Sequence, residues 1–271
     1  MEVKVLGPLE AQVNGRSIVP TAAKPRQILA LLALEAGQVV TVPALIEELW
    51  GMQPPRSALT TLQTYILHLR RFIDSALAAD QAGAAKDLLV TRCGGYLLNV
   101  EEGSVDVQRY ERLAAAGARA AEIADDESAS RLLRSALEVW RGQVLVDVPA
   151  GLRLGIEVIR LEESKLGVLE LCIDAELRLG RHYTLLSELA VLNASHPMNE
   201  NLCAQFMIAL YRSGRQWRAM DVYKRLRDTL VGELGVEPSA RLQHLQRAIL
   251  GSDPMLDEAA RKGRRAERLA I

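Results

Sequence analysis

The hydrophobic pattern of the chain changes period near residue 20. Val3 and Val5 alternate with Glu2 and Lys4, and after Gly7-Pro8 the residues Leu9, Ala11 and Val13 alternate with Glu10, Gln12 and Asn14. A period of two turns one side of each segment towards a core, so both predict strands. Asn14-Gly15 tolerates positive φ at both positions and predicts a tight turn into a third short strand over 16–19. From Lys24 the pattern thickens: Ile28, Leu29, Leu31, Leu32 and Leu34 predict an apolar helix with Pro25 in its first turn and Gly37 at its end. Val39-Val40-Thr41 predicts an extended segment. Pro43 opens a second helix that closes at Gly51, and after the loop 51–56 Ser57 is expected to cap a third helix over 57–73.

That third helix carries the functional signal. At about 100° per residue, Ala58, Leu59, Leu62, Tyr65, Ile66, Leu69, Phe72 and Ile73 share an arc that should face the core. The opposite arc carries Thr60, Gln63, Thr64, Leu67, His68 and Arg71, with Thr61 and Arg70 on its flanks, and no carboxylate precedes Asp74. Short hydroxyls and an amide can hydrogen-bond base edges, Leu67 can pack on a thymine methyl, and cations suit phosphates. A surface helix that merely lacks acid shows the same pattern, so the neighbours decide. Apolar segments at 88–91 and 96–100 around Arg92-Cys93-Gly94-Gly95 predict a hairpin, and residues 80–85 a soft link. Sheet, three helices and terminal hairpin make an α+β winged helix-turn-helix whose third helix reads DNA. Lys24, Arg26, Arg70, Arg71 and Arg92 are the candidate phosphate contacts, with Lys86 beside Arg92 on the wing.

Beyond a boundary at 101–105 the pattern is helical, at roughly 106–124, 127–141, 152–180, 183–195, 199–213, 216–234 and 238–250, with a loop at 144–150. Glu176–His182 and Leu210–Gln216 align with Gly180 and Gly214 at the same place, 34 residues apart. That is the period of a tetratricopeptide repeat, and Ala219, Tyr223 and Pro238 follow at similar spacings to that repeat. The expected organisation is a winged helix over 1–100, a helical repeat domain over 106–250, and a basic tail over 251–271 bearing Arg261, Lys262, Arg264, Arg265 and Arg268. The repeat domain would present a helical surface to protein partners or stabilise its neighbour.

Composition narrows the class. Hydrophobic residues make up 49% of 271 but aromatics only 4%, which suits helical Leu/Ala/Val cores, and the net charge is −1. Residues 1–100 hold nine Lys/Arg against eight Asp/Glu, so DNA affinity should come from a few placed cations and pairing of protomers rather than a broad basic field. No apolar run suits a membrane span or a leader, and a cytoplasmic protein is expected. Cys93, Cys172 and Cys203 form no CxxC, and the four histidines show no metal-ligand spacing. Without a P-loop, GxGxxG or GxSxG, no cofactor or catalysis is expected. The carboxylate pairs Glu47-Glu48 and Glu162-Glu163 are read as solvated helix positions.

The phrases LGPLE (6–10), KPRQILALLAL (24–34), ALIEELWG (44–51), LTTLQTYILHLRR (59–71), GGYLL (94–98), ALYRSGR (209–215) and ELGVEPSARL (233–242) occur in an order that resembles the SARP family, the Streptomyces antibiotic regulatory proteins. Within it the chain is similar to pathway-specific activators of anthracycline clusters. The resemblance implies a response-regulator-like winged helix followed by a bacterial transcriptional activator domain. It also implies a homodimer on tandem promoter repeats near the −35 region, with RNA polymerase as partner. By analogy with response regulators, loop 51–56 would touch a sigma subunit. With the sheet starting at residue 2 and no receiver before it, control by protein level, oligomerisation or a partner is expected. Two alternatives stay open: a repeat-based protein-interaction adaptor, and a repressor using the same DNA-binding domain.

Overall fold

A computed structural model describes residues 1–77 and 84–256. The chain forms two compact units, one of Met1–Ala114 with Ser135–Leu166, the other of Ala115–Arg134 with the chain from Gly167 onward. The domain division expected at 101–105 falls inside the first unit.

The first unit opens with the antiparallel strands β1 (Glu2–Lys4), β2 (Glu10–Val13) and β3 (Arg16–Ser17), in that order, turning at Asn14 and Gly15, both at positive φ. Helices α1 (Ala23–Leu34), α2 (Val42–Trp50) and α3 (Ala58–Ala76) pack together through Ile28, Leu31, Leu32, Leu45, Leu62, Ile66 and Leu69, all essentially buried. Between them runs the short strand β4 (Val40–Thr41). A four-residue helix α4 (Ala85–Leu88), not foreseen in the sequence, precedes the hairpin β5 (Leu89–Arg92) and β6 (Gly95–Leu98). The second sheet has the order β4-β6-β5, pairing Val40 with Tyr96 and Arg92 with Gly95. Gly95 is required there: a Cβ would lie 2.3 Å from the carbonyl oxygen of Val40.

Residues 138–151 hold the N-terminal sheet in place. The backbone N–H of Arg141 donates to Leu6 and that of Leu145 to Gly7, while the Asp147 carboxylate accepts from the Leu9 N–H. At the start of α5 (Asp106–Glu122), Asp106 accepts from the N–H groups of Val5 and Leu6. Burial raises its pKa, against the lowering effect of those two bonds.

Two sequence expectations change here. Ser57 makes no side-chain capping bond, and α3 begins one residue later. Glu48 is not solvated: it is 3% exposed and caps the N-terminus of α7 (Leu152–Arg178). One carboxylate oxygen accepts from the Gly151 N–H at 2.6 Å and the Gln27 amide at 3.0 Å. The other accepts from Arg153 N–H at 2.8 Å and Leu154 N–H at 3.2 Å. These helix-end donors have no partner within the helix, and the helix dipole favours an anion at that end. Glu162 likewise accepts from the Val144 N–H.

In the second unit, α8 (His182–Ser195), α9 (Glu200–Arg212) and α10 (Gln216–Leu234) pack in succession, and α11 (Ala240–Leu250) lies against α9 and α10. Gly180 and Gly214 take positive φ, with matching bonds from Arg181 N–H to Glu176 and Arg215 N–H to Leu210. This is the left-handed helix stop that the 34-residue period predicts. The same turn recurs after α5, before α6 (Asp126–Leu137): Ala124 has φ 58° and Asp125 N–H donates to Ala120. Alanine at that position hid the turn from the sequence. The basic residues of the tail, from Arg261 to Arg268, lie outside the described residues.

Cys93 is exposed, whereas burial pushes the thiols of Cys172 and Cys203 up to about 12. At pH 8 the buried pair should then be thiolate only to about one part in ten thousand. Native protein is expected to consume one equivalent of a thiol reagent rapidly, and two more only on unfolding. Fast modification of all three in the native state would contradict this packing.

Candidate nucleic-acid interface

The candidate surface for DNA comprises α3 and the wing hairpin β5–β6. Along α3, Leu62, Ile66, Leu69 and Ile73 are buried and fix the helix on the core. Thr60, Gln63, Thr64, Leu67, His68 and Arg71 are exposed and Thr61 is half-buried. The Thr64 hydroxyl donates to the Thr60 carbonyl at 3.0 Å, so its remaining capacity is as an acceptor, suited to an exocyclic amine of adenine or cytosine. Asp74, the first acid after this face, accepts from the Ala85 N–H at 3.2 Å.

Two residues expected in the core are instead open to solvent: Leu59 (49% exposed) and Phe72 (42%). Leu59 stands in line with Gln63 and Leu67 at successive spacings of four, which is the signal that could have placed it on the reading side.

The cations divide into two groups. The side chains of Arg71 and Arg92 are exposed and make no hydrogen bond or ion pair among the described residues. The others have intramolecular partners. Lys24 lies over the Trp50 ring, 4.4 Å from its centroid. Arg26 is ion-paired with Asp147, and its Nε is buried. Arg70 donates to the Leu89 carbonyl and to Thr91. A phosphate would have to compete with these partners. The pairing of Arg26 depends on a residue 121 positions away, which no local pattern reveals.

Loop 51–56 is exposed throughout, with Met52 at 93%. Among the described residues, no group of three or more His, Cys, Asp or Glu is placed to hold a metal ion, and no helix is long and apolar enough to cross a membrane.

A winged helix with an acid-free, exposed reading face, joined to helical repeats, defines a DNA-binding transcriptional regulator. Comparison with known proteins specifies the family. The model "Transcriptional regulatory protein, C terminal" matches residues 15–98, and "Bacterial transcriptional activator domain" matches residues 105–250. The chain is 61% identical over 257 residues to the regulatory protein DnrI of Streptomyces peucetius, covering 95% of this chain and 94% of DnrI. It is 40% identical to the regulatory protein AfsR of Streptomyces coelicolor over 94% of this chain but only 24% of AfsR. Among solved structures, Mycobacterium tuberculosis EmbR in complex with a low-affinity phosphopeptide superposes with a TM-score of 0.85 at 30% identity, over 99% of this chain and 70% of that one. The chain belongs to the SARP family of transcriptional activators. The role that this family membership carries is regulation of transcription.

Proposed function

We propose that the protein activates a secondary-metabolite gene cluster by binding direct repeats beside the −35 region as a pair of protomers and recruiting RNA polymerase. The observation that carries this reading is the exposed, carboxylate-free face of α3. On it, Thr60, Gln63, Thr64, Leu67 and His68 would meet base edges, with Thr61 at the margin, and Arg71 and Arg92 would meet phosphates. Lys24 would add a phosphate contact from beside Trp50. The similarity to DnrI and AfsR supports a target among antibiotic pathway genes. The exposed loop 51–56 would touch the sigma subunit, and the helical repeats would support protomer pairing.

The test is binding to a duplex selected from random-sequence DNA by the unmodified protein. Arg71→Ala should weaken binding to all sequences and reduce the slope of log affinity against log salt by about one. Thr64→Ala should leave that slope unchanged and relax base choice at one position. Head-to-tail footprints on repeats spaced by whole helical turns, with increased transcript from purified polymerase, would support activation. Symmetric protection of a palindrome would rule out the tandem arrangement. Loss of transcript would identify a repressor.

A further inference from the structure

We infer that Arg70 is a positioning residue: it fixes the wing against the reading helix, so that the wing cation Arg92 meets DNA in a set register with α3. The geometry is specific. Strand β5 is an edge of its sheet, which has the order β4-β6-β5. The Leu88 carbonyl accepts from Asn99 N–H on the β6 side, so strand alternation turns the Leu89 carbonyl to the open edge. Arg70 fills that vacancy. Its Nε and Nη2 donate to the Leu89 oxygen at 3.0 and 2.6 Å, and Nη2 donates to Thr91 Oγ1 at 2.8 Å. A planar guanidinium can hold both acceptors at once; the single ammonium of a lysine cannot reproduce that fork.

One residue step separates two roles. Arg71, the next residue on α3, faces solvent without a partner among the described residues, while Arg70 points into the wing. Arg92 is the last residue of β5, at the mouth of the wing turn, so its place depends on that strand. Freed from Arg70, the edge strand keeps its pairing to β6, and the Asp74 bond to the Ala85 N–H still holds α4, but the direct side-chain tie from α3 to β5 is lost. DNA binding would then have to order the wing, and the lost order appears as weaker affinity without the loss of a phosphate contact.

The inference rests on the DNA-binding reading above, and the experiment separates the two. Affinity for the selected duplex is measured across a salt series for Arg70→Ala, Arg70→Lys, Thr91→Val and the double variant Arg70→Ala/Thr91→Val, with Arg71→Ala as reference and thermal unfolding to check each fold. Arg70→Ala is expected to bind about tenfold more weakly, the range for a charged hydrogen bond, with an unchanged salt slope. Arg70→Lys should not restore affinity. Thr91→Val, which removes no charge and suits a strand, should weaken binding in the same direction. The double variant should be no worse than Arg70→Ala, because both changes break one contact. Hydroxyl-radical footprints should lose the wing segment and keep that of α3. A slope reduced by about one in Arg70→Ala, rescue by lysine, or an inert Thr91→Val would overturn the assignment and make Arg70 a phosphate ligand. If no duplex is selected, or Arg71→Ala binds normally, the DNA-binding reading itself fails.

Discussion

Glu48→Ala is expected to lower stability by roughly 3–5 kcal/mol, the range for removing one member of a buried, charged hydrogen-bond network. The carboxylate accepts from the N–H groups of Gly151, Arg153 and Leu154 and from the Gln27 amide. Truncation leaves the three N–H groups unpartnered at a helix end and removes the anion that the dipole favours there. Space allows little repair: a Cβ at Gly151 would lie 2.2 Å from the Glu48 carbonyl oxygen, so that backbone already touches. Glu48→Gln should lose less, because its amide oxygen still accepts, but its NH2 then opposes two N–H donors. Denaturant unfolding measures both changes. A loss below about 1 kcal/mol for Glu48→Ala, smaller than a typical unsatisfied buried group, would mean that water replaces the carboxylate.

Arg134→Ala should destabilise by about 3 kcal/mol. Its guanidinium makes two bonds to Glu176, at 3.0 and 2.7 Å, and two to Glu188, both at 2.7 Å. These carboxylates hold Arg134 protonated, raising its pKa above the usual arginine value despite partial burial. Without it, Glu176, 8% exposed, keeps its bond from Ser130 but loses its counter-charge. The figure sits at the low end for buried pairs because the Arg134 and Glu188 side chains are each about one third exposed. Arg134→Met combined with Glu176→Met should recover most of the loss, since it removes the buried uncompensated charge and leaves only Glu188, whose side chain is one third exposed and can be hydrated. A double variant no more stable than Arg134→Ala would show that packing around the pair, not charge, sets the cost.

Neither network is written in local pattern. Glu48 follows Glu47 on a short helix and looks like half of a solvated pair; its backbone partners lie 103 to 106 residues further on, and Gln27 lies 21 residues before it. Arg134 meets its carboxylates 42 and 54 residues away. The same holds for the cations of the interface. Lys24, Arg26, Arg70, Arg71 and Arg92 are alike in sequence, yet the fold gives an aromatic ring to the first, an aspartate to the second and a strand edge to the third. Arg71 and Arg92 remain exposed without such partners among the described residues. Leu59 and Phe72 show the limit of the helical wheel: it ranks directions around an axis, whereas burial depends on which neighbours arrive on each side.

What the sequence determined by itself was the order of the elements and all of the longer ones, the four-residue α4 excepted. Periods of two and 3.6, Asn14-Gly15, and the glycines at 180 and 214 act through backbone preferences within a few residues, so they can be read without the rest of the chain. The acid-free face of α3 was legible for the same reason, since a helix repeats on itself. Only the tertiary structure decided which charges stay available. Ion pairs and caps join groups far apart in sequence, and their energies depend on distances that only packing sets.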